Sequence, residues 1–147
     1  MARLVIIPDN TLKKLLSPKF CKQKKALKLR LIQNHLHDWD GDSDFIIVTS
    51  IFLDNAIEGA IQTQNPKITI SFWEDHCSQL LSISNTISEE KTETKTIFER
   101  GVSNKGRERG IGLANVTEIL DNYINVNLET QSNNFSFTQQ LTITKKA

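Results

Sequence analysis

The chain has little of what holds small secreted, fibrous or membrane-embedded proteins together. Its 147 residues include 2 cysteines, 6 glycines and 3 prolines, and aromatic residues make up 7%. Two cysteines cannot form a disulfide framework, so we interpret Cys21 and Cys77 as reduced thiols in a cytoplasmic setting. No apolar run approaches the roughly 18 residues of a membrane span, and no signal-peptide pattern opens the chain. These absences exclude a disulfide scaffold, a collagen-like chain and a transmembrane domain.

The composition that remains is that of one globular domain. Hydrophobic residues make up 38% and charged residues 24%, with 18 Lys and Arg against 17 Asp and Glu. A chain of this length can bury a sizeable core. The charge is uneven, because residues 1–30 are strongly basic and residues 31–66 are acidic. Only Phe20 is interleaved with the basic residues, so we interpret them as a solvated helix face and expect no nucleic-acid partner.

Hydrophobic periodicity predicts the elements of the first half. Helical spacing predicts a helix over residues 9–25, and alternation predicts a strand over 26–31. The widest apolar stripe predicts a helix over 43–64, capped by Ser43 or Asp44 and ended by Asn65 and Pro66. Alternating residues at 67–73 and 79–85 predict a β-hairpin with its turn at 74–78.

The second half begins with a polar stretch at residues 86–110, which is typical of a functional lid or a disordered segment. We expect residues 89–109 to be mobile without a ligand. A short helix is predicted over 113–120, and a second hairpin over 126–130 and 135–143, with a turn at 131–134. The order of elements predicts a two-layer α/β (α+β) sandwich: a mixed, largely antiparallel sheet with helices on one face.

Four of the six glycines fall within twelve positions, in and just after the polar stretch: Gly101, Gly106, Gly110 and Gly112. Gly110 and Gly112 directly precede the predicted helix at residue 113. Glycines and the free N–H groups of a helix start can approach a phosphate closely. Polar and cationic side chains nearby can add contacts: Ser103, Lys105, Arg107 and Arg109. Taken alone, the pattern fits an ordinary flexible loop better than a phosphate site.

Polar residues interrupt the apolar helix at 43–64. Asn55 and Glu58 are three residues apart, so they share a helix face. Their oxygens are of the kind that Mg²⁺ prefers. The alternative is that Asp54 and Glu58 form the wet side of an amphipathic helix. A third feature is Asn85 with Thr86 at the end of a predicted strand, where a carboxamide could meet a nucleobase edge or could simply end the strand.

These segments resemble the motifs of the GHKL ATP-binding fold. Residues 53–60 (LDNAIEGA) resemble its N box, and residues 83–86 (ISNT) resemble its adenine-side motif. Residues 97–105 (IFERGVSNK) with 109–113 (RGIGL) resemble its lid and second glycine box. The chain is most similar to the ATP-binding domain of peptide-pheromone sensor histidine kinases of the agr, competence and bacteriocin type. The resemblance covers roughly residues 10–145.

The resemblance implies a Bergerat-type sandwich that binds Mg²⁺ and ATP between the N-box helix and the lid. Asn55 would ligate Mg²⁺, with Glu58 beside it, and Asn85 would stand where relatives have an adenine-binding Asp. The implied catalytic residues are Asn55, Glu58, Lys105 and Arg109. The implied nucleotide-binding residues are Asn55, Asn85, Thr86, Ser103, Gly110, Gly112 and Leu113. Transfer then needs positioning and charge neutralisation.

The chain departs from the family pattern at two positions. Asn85 replaces the usual Asp of an Asp-x-Gly motif, which predicts weaker adenine binding. Ile51 stands four residues before Asn55, where ATP-hydrolysing relatives often carry a water-activating Glu. Ile51 cannot activate water, so we predict transfer to a protein acceptor rather than fast hydrolysis.

The resemblance also implies partners and a location. Residues 1–25 would be the tail of a dimerisation-helix region, and residues 26–147 the catalytic domain. The acceptor histidine would lie upstream of this chain, so His35, His37 and His76 are interpreted as surface or structural residues. The full-length protein would be a membrane-bound homodimer that passes phosphate to a response regulator.

Two alternative functions stay open at this point. The chain could be a stand-alone serine kinase of the anti-sigma-factor type, although the N box of such kinases usually differs from the sequence of residues 53–60. It could also be a regulatory module that binds ATP without transferring phosphate.

Overall fold

The computed structural model describes residues 2–7, 42–90 and 107–145. For residues 2–7, 42 and 107–111 the description covers the backbone alone. The elements in chain order are β1 (Ala2–Ile7), α1 (Asp42–Ile61), β2 (Ile68–Glu74), β3 (Ser78–Thr86), α2 (Arg107–Leu120), β4 (Val126–Asn133) and β5 (Ser136–Thr144).

The five strands form one antiparallel sheet in the order β1-β2-β3-β5-β4. Its core face alternates with an outer face along every strand whose side chains are described, as the two-residue period of a strand requires. α1 packs against β3, and Val116 of α2 joins the core cluster formed by α1 and the sheet. The predicted two-layer sandwich is confirmed.

β1 lies within residues 1–25, the predicted connector. Residues 2–7, assigned to a connector outside the ATP-binding domain, pair with β2 and form an edge of its sheet. The predicted helix over 9–25 and strand over 26–31 lie outside the described residues, as do His35 and His37.

Four rows of side chains cross the core face from β2 through β3 and β5 to β4. The first row is Glu74, Gln79, Ile143 and Val126, and we call it the Glu74 end. The second row is Phe72, Leu81, Leu141 and Leu128. The third is Ile70, Ile83, Gln139 and Thr130, and the fourth is Ile68, Asn85, Phe137 and Ser132; together we call these two the Asn85 end. Apolar side chains fill the middle of the face, and polar ones lie towards both ends.

α1 runs between these two ends. Near its start, the Tyr123 hydroxyl donates to Oδ2 of Asp44 at 2.5 Å, just before β4 begins. Past its last turn, the Thr63 hydroxyl lies 3.1 Å from the Thr86 hydroxyl at the end of β3. The helix begins one residue earlier than predicted, at Asp42, so Ser43 and Asp44 lie in its first turn and do not cap it.

The Glu74 end is closed by paired polar groups. Nζ of Lys145 lies 2.7 Å from Oε1 of Glu74, and Nε2 of Gln79 donates to the same oxygen at 3.1 Å. These hydrogen bonds, with Lys145 first, lower the pKa of the Glu74 carboxyl. In the adjoining turn, the N–H groups of Cys77 and Ser78 both donate to Oδ1 of Asp75 at 2.7 Å. Those two bonds lower the pKa of Asp75.

Both predicted hairpins are present with shifted bounds. β2 is shifted by one residue towards the C-terminus, and β3 is one residue longer than predicted at each end. In the second hairpin the predicted turn at 131–134 is wrong, because β4 continues to Asn133 and the turn is Asn134 and Phe135. Both turn residues have a positive φ, of 49° and 58°.

Candidate nucleotide-binding site

Asn55 lies on α1 with one side-chain atom buried and unpaired. Its Nδ2 is buried and has no hydrogen-bond partner among the residues that the structure describes. A buried N–H donor without a partner lowers the stability of the fold by about 1–3 kcal/mol. Such a group is therefore a candidate for a hydrogen bond to a ligand. A carboxamide in this state offers an amide donor to a phosphate oxygen and an oxygen to a cation.

The carboxylates beside Asn55 are held in the protein's own interactions. Asp54 and Glu58 are half-buried on α1, and both take part in polar or electrostatic contacts within the chain. In the described part of the chain, no group of three or more His, Cys, Asp and Glu side chains could hold a metal ion. The donor set that fits Mg²⁺ here is therefore sparse: the Asn55 oxygen with Glu58 one turn away, and waters and phosphates for the rest.

Gly112 faces the same side of α1. A methyl group added at Gly112 would lie 3.6 Å from Cγ2 of Ile51. Ile51 is four residues before Asn55, and residues four apart on a helix are neighbours on one face. The structure therefore brings the predicted N-box helix and the predicted glycine box together, with Gly112 about one turn of α1 from Asn55.

The role predicted for the glycines needs a correction. α2 begins at Arg107, so Gly110 and Gly112 lie inside the helix and not before it. An N–H in a helix interior is bonded to the carbonyl four residues earlier, so the N–H of Gly112 is not free. The unpaired N–H groups of α2 belong to its first turn, at residues 107–109. What Gly112 supplies is close approach of two helices, since its missing side chain leaves room for Ile51.

Asn85 is buried, with 4% of its surface exposed, on the core face at the end of β3. Its Nδ2 donates to the backbone carbonyl of Thr86 at 2.9 Å. That bond engages one of the two N–H groups of Nδ2 and fixes the orientation of the carboxamide, which keeps a second N–H and the acceptor Oδ1. Oδ1 is an acceptor, which matches an exocyclic amine such as that of adenine.

Thr86 has a structural task at this corner. Its hydroxyl accepts from the N–H of Lys67 at 3.1 Å and lies 3.1 Å from the Thr63 hydroxyl. Its own N–H donates to the carbonyl of Lys67 at 3.0 Å. Thr86 thus joins β2, β3 and the turn after α1, and it positions Asn85 rather than offering a free hydroxyl.

Two polar residues of the Asn85 end were missed by the sequence analysis. Gln139 is 3% exposed. Within residues 42–90 and 107–145, its Nε2 has no partner, and neither has Oγ1 of Thr130, directly across the β4–β5 pair. The sequence held a signal for Gln139, because the two-residue period places it on the same face as Leu141 and Ile143. The remaining predicted residues are described only in part. Leu113 is buried on α2, Arg109 has only its backbone described in the first turn of α2, and Ser103 and Lys105 lie outside the described residues.

The comparisons with known proteins identify the family. The chain belongs to the GHKL domain family, whose model matches residues 42–144, well over half of the chain. GHKL domains bind ATP, usually with Mg²⁺. No curated protein matches the chain significantly.

Solved structures match the fold over nearly the whole chain. The nucleotide-free catalytic domain of the histidine kinase ThkA is 18% identical, with a TM-score of 0.62 and 99% of each chain covered. The mycobacterial sensor histidine kinase MprB is 12% identical, with a TM-score of 0.59, covering 98% of this chain and 97% of that one. The Acinetobacter baumannii histidine kinase AdeS is 16% identical, with a TM-score of 0.60, covering 99% of this chain and 68% of that one. The chain therefore has the fold of histidine kinase catalytic domains.

Neither helix that the structure describes is long and apolar enough to cross a bilayer.

Proposed function

We propose that this chain is the ATP-binding catalytic domain of a sensor histidine kinase. It transfers the γ-phosphoryl group of ATP to a ring nitrogen of a histidine on a dimerisation-helix domain and releases ADP, and the phosphoryl group then passes to a response regulator. The observation that supports this most is the buried, unpaired carboxamide nitrogen of Asn55, one turn from the Ile51 side chain that Gly112 faces.

In this proposal each described residue has a task. Asn55 holds Mg²⁺ through its oxygen and a phosphate oxygen through its nitrogen, with Glu58 as the neighbouring carboxylate. Bound Mg²⁺ neutralises the charge of the phosphates. Asn85 accepts from the adenine amine through Oδ1, and Thr86 holds Asn85 in place through its bonds to Lys67 and Thr63. Positioning and charge neutralisation then carry the transfer.

The same residues favour transfer over hydrolysis. Ile51 has no group that can take a proton from water, and it packs towards Gly112. Ser103, Lys105 and Arg109 are proposed to add hydroxyl and cationic contacts around the γ-phosphate. Steady ATP hydrolysis by the chain, abolished by Asn55→Ala, would contradict the proposed division between transfer and hydrolysis.

The wider setting is part of the proposal and follows the family resemblance. The signal is a peptide pheromone, the kinase is a homodimer, and its full-length form is anchored in the cell membrane with this domain in the cytoplasm. The resemblance of residues 53–60 and 83–86 to the pheromone-sensing kinases supports this setting.

A thermal-shift experiment tests the nucleotide site first. A ligand that binds only the folded chain stabilises it by about 2.7 kcal/mol at 100 times its Kd, which corresponds to a rise of several degrees in Tm. We expect Mg·ATP to raise the Tm of the wild type and to leave that of Asn55→Ala unchanged. Asn127→Ala is the matched control, because Asn127 is an exposed residue of β4 and its variant should respond as the wild type does. No shift in the wild type would refute the proposal.

A transfer assay then separates the alternatives. The chain is mixed with labelled ATP, Mg²⁺ and a separately produced acceptor-helix fragment. Acid-labile phosphohistidine on the fragment supports the histidine kinase. Phosphoserine on another partner supports an anti-sigma-type serine kinase, and binding without any transfer supports a regulatory module.

A further inference from the structure

The β4–β5 turn holds an aromatic residue in a conformation that aromatic residues rarely adopt. The connection has two residues, Asn134 and Phe135, with φ of 49° and 58°. Two left-handed residues in a two-residue hairpin loop form the pattern of a type I′ turn, which glycine favours at its second position. Asn tolerates the left-handed region, but a bulky side chain is an outlier there. The hairpin would therefore form more easily with glycine at position 135.

Burial does not explain why Phe135 occupies this position. Its side chain is 55% exposed, so the chain gains little hydrophobic stabilisation for the backbone strain it carries. The other exposed large apolar residues in the described part of the chain are Ile46, Ile47, Trp73 and Ile124. They belong to the start of α1, the end of β2 and the loop before β4, all towards the Glu74 end. At the Asn85 end, Phe135 is the one exposed large apolar residue among those that the structure describes.

Two backbone hydrogen bonds fix the position of Phe135. The N–H of Ile87 donates to the carbonyl of Phe135, and the N–H of Phe135 donates to the carbonyl of Glu90, both at 2.9 Å. Ile87 is two residues after Asn85, a distance of about 7 Å along an extended chain. Phe137, two residues after Phe135, pairs directly with Asn85. Phe135 is therefore held at the rim of the same corner in which Asn85 presents its carboxamide.

We propose that Phe135 is a base-contacting residue of the nucleotide site, with its ring packed against the face of the nucleobase that Asn85 reads at its edge. This deepens the proposed function and depends on it. The ring would add affinity without base identity, because every nucleobase has an aromatic face. Asn85 would supply identity through its hydrogen bond. In this proposal, the strained turn holds the exposed ring of Phe135 in a fixed position beside the nucleobase.

The test compares variants of the full chain that keep the turn. Phe135→Gly removes the ring and relieves the left-handed strain, and Phe135→Tyr keeps an aromatic ring. Asn134→Gly is the matched control, since it changes the same turn and leaves the ring in place. Affinities are measured by calorimetry for Mg·ATP, Mg·GTP and magnesium tripolyphosphate, which has no base. Thermal unfolding without ligand is recorded for each variant.

We expect Phe135→Gly to unfold at the same temperature as the wild type or higher. Its affinity for Mg·ATP should fall about five-fold or more, Mg·GTP affinity should fall by the same factor, and tripolyphosphate affinity should stay unchanged. Phe135→Tyr should restore the affinity for Mg·ATP, and Asn134→Gly should not change it. An unchanged Mg·ATP affinity in Phe135→Gly, or an equal loss for tripolyphosphate, overturns this inference while the wild type still binds ATP. Absence of binding by the wild type refutes the proposed function itself.

Discussion

The two ends of the sheet's core face place the same kind of residue in different surroundings. Gln79 and Gln139 are buried glutamines on neighbouring strands, with 2% and 3% of their surfaces exposed. Gln79 donates to Glu74, which also meets Lys145, and only its Oε1 lacks a partner. In the described part of the chain, Nε2 of Gln139 and Oγ1 of Thr130 at the Asn85 end lack partners, as does Nδ2 of Asn55 on the helix above the sheet.

This difference matches the proposed function, in which the Glu74 end is structural and the Asn85 end binds the nucleotide. At the Glu74 end, Lys145 and Gln79 both bond to Glu74, and only Oε1 of Gln79 lacks a partner among the described residues. Lys145, just after β5, is also bonded to the β2–β3 turn through the carbonyl of Cys77. At the Asn85 end the fold keeps unpaired donors, each of which lowers stability by about 1–3 kcal/mol. Stability given up at one corner of a protein is typical of a functional site.

The largest expected effect on stability comes from the apolar row between the two ends. Leu141 is 1% exposed in the apolar row of the core face, so Leu141→Ala should lower the free energy of unfolding by about 2–5 kcal/mol. Urea denaturation measures it. A loss below about 1 kcal/mol would mean that the polar ends, and not the apolar rows, carry the stability of the sheet.

The next effect compares the two glutamines directly. Gln139→Leu removes a buried unpaired donor and should raise the free energy of unfolding by about 1 kcal/mol. Gln79→Leu is the matched control at the other end, and it should give no gain because Glu74 loses a hydrogen-bond donor. Both are read from chemical denaturation. Equal changes in the two variants would show that the ends do not differ.

A smaller effect is expected at Gly112. A glycine inside a helix destabilises it by about 0.5–1 kcal/mol relative to alanine. The added methyl group would meet Ile51 at 3.6 Å, an ordinary contact. Gly112→Ala should therefore raise the Tm measured without nucleotide. A lower Tm would mean that α1 and α2 need a closer approach than the structure shows.

The smallest effect concerns pH and belongs to the Glu74 end. The N–H groups of Cys77 and Ser78 lower the pKa of Asp75 in the folded chain. A lowered pKa contributes stability above the unfolded-state value, near 4, and this contribution is lost as the pH falls through the folded-state value. We expect Tm to fall with acidification, and to fall less in Asp75→Asn. Tm recorded from about pH 6 to about pH 3 measures this, and identical curves for the two proteins would contradict it.

Much of the fold could be predicted from local pattern. The apolar stripe of α1 and the alternation in β2, β3 and β5 are strong periodic signals, and they placed these elements within a few residues. The start of α2 could not be predicted in this way. Residues 107–112 are three charged residues, two glycines and Ile111, so their helical periodicity is poor. The approach of Gly112 to Ile51 is a tertiary contact that overrides local propensity.

Other differences come from contacts between distant parts of the chain. Whether residues 2–7 pair with β2 depends on a partner more than sixty residues away, which no local window contains. The polar composition of residues 131–134 predicts the turn of the second hairpin there. The two turn residues with positive φ are instead Asn134 and Phe135, and an aromatic residue is not expected at such a position. For the site, the sequence motifs predict Asn55, Asn85 and Gly112. They could not show that Thr86 is bonded to Lys67 and Thr63, or that Gln139 has no partner for its Nε2 among the described residues.

The corner formed by Thr63, Thr86 and Lys67 has a kinetic consequence. It joins the C-terminal side of α1 to the strand that carries Asn85. Hydrogen bonds within the chain therefore fix the distance between the carboxamides of Asn55 and Asn85 before a ligand binds. A ligand that contacts both carboxamides would find them already in place and would not have to order them on binding. The entropic penalty of association is then smaller, and a fast encounter step does not depend on rearrangement of this half of the cleft.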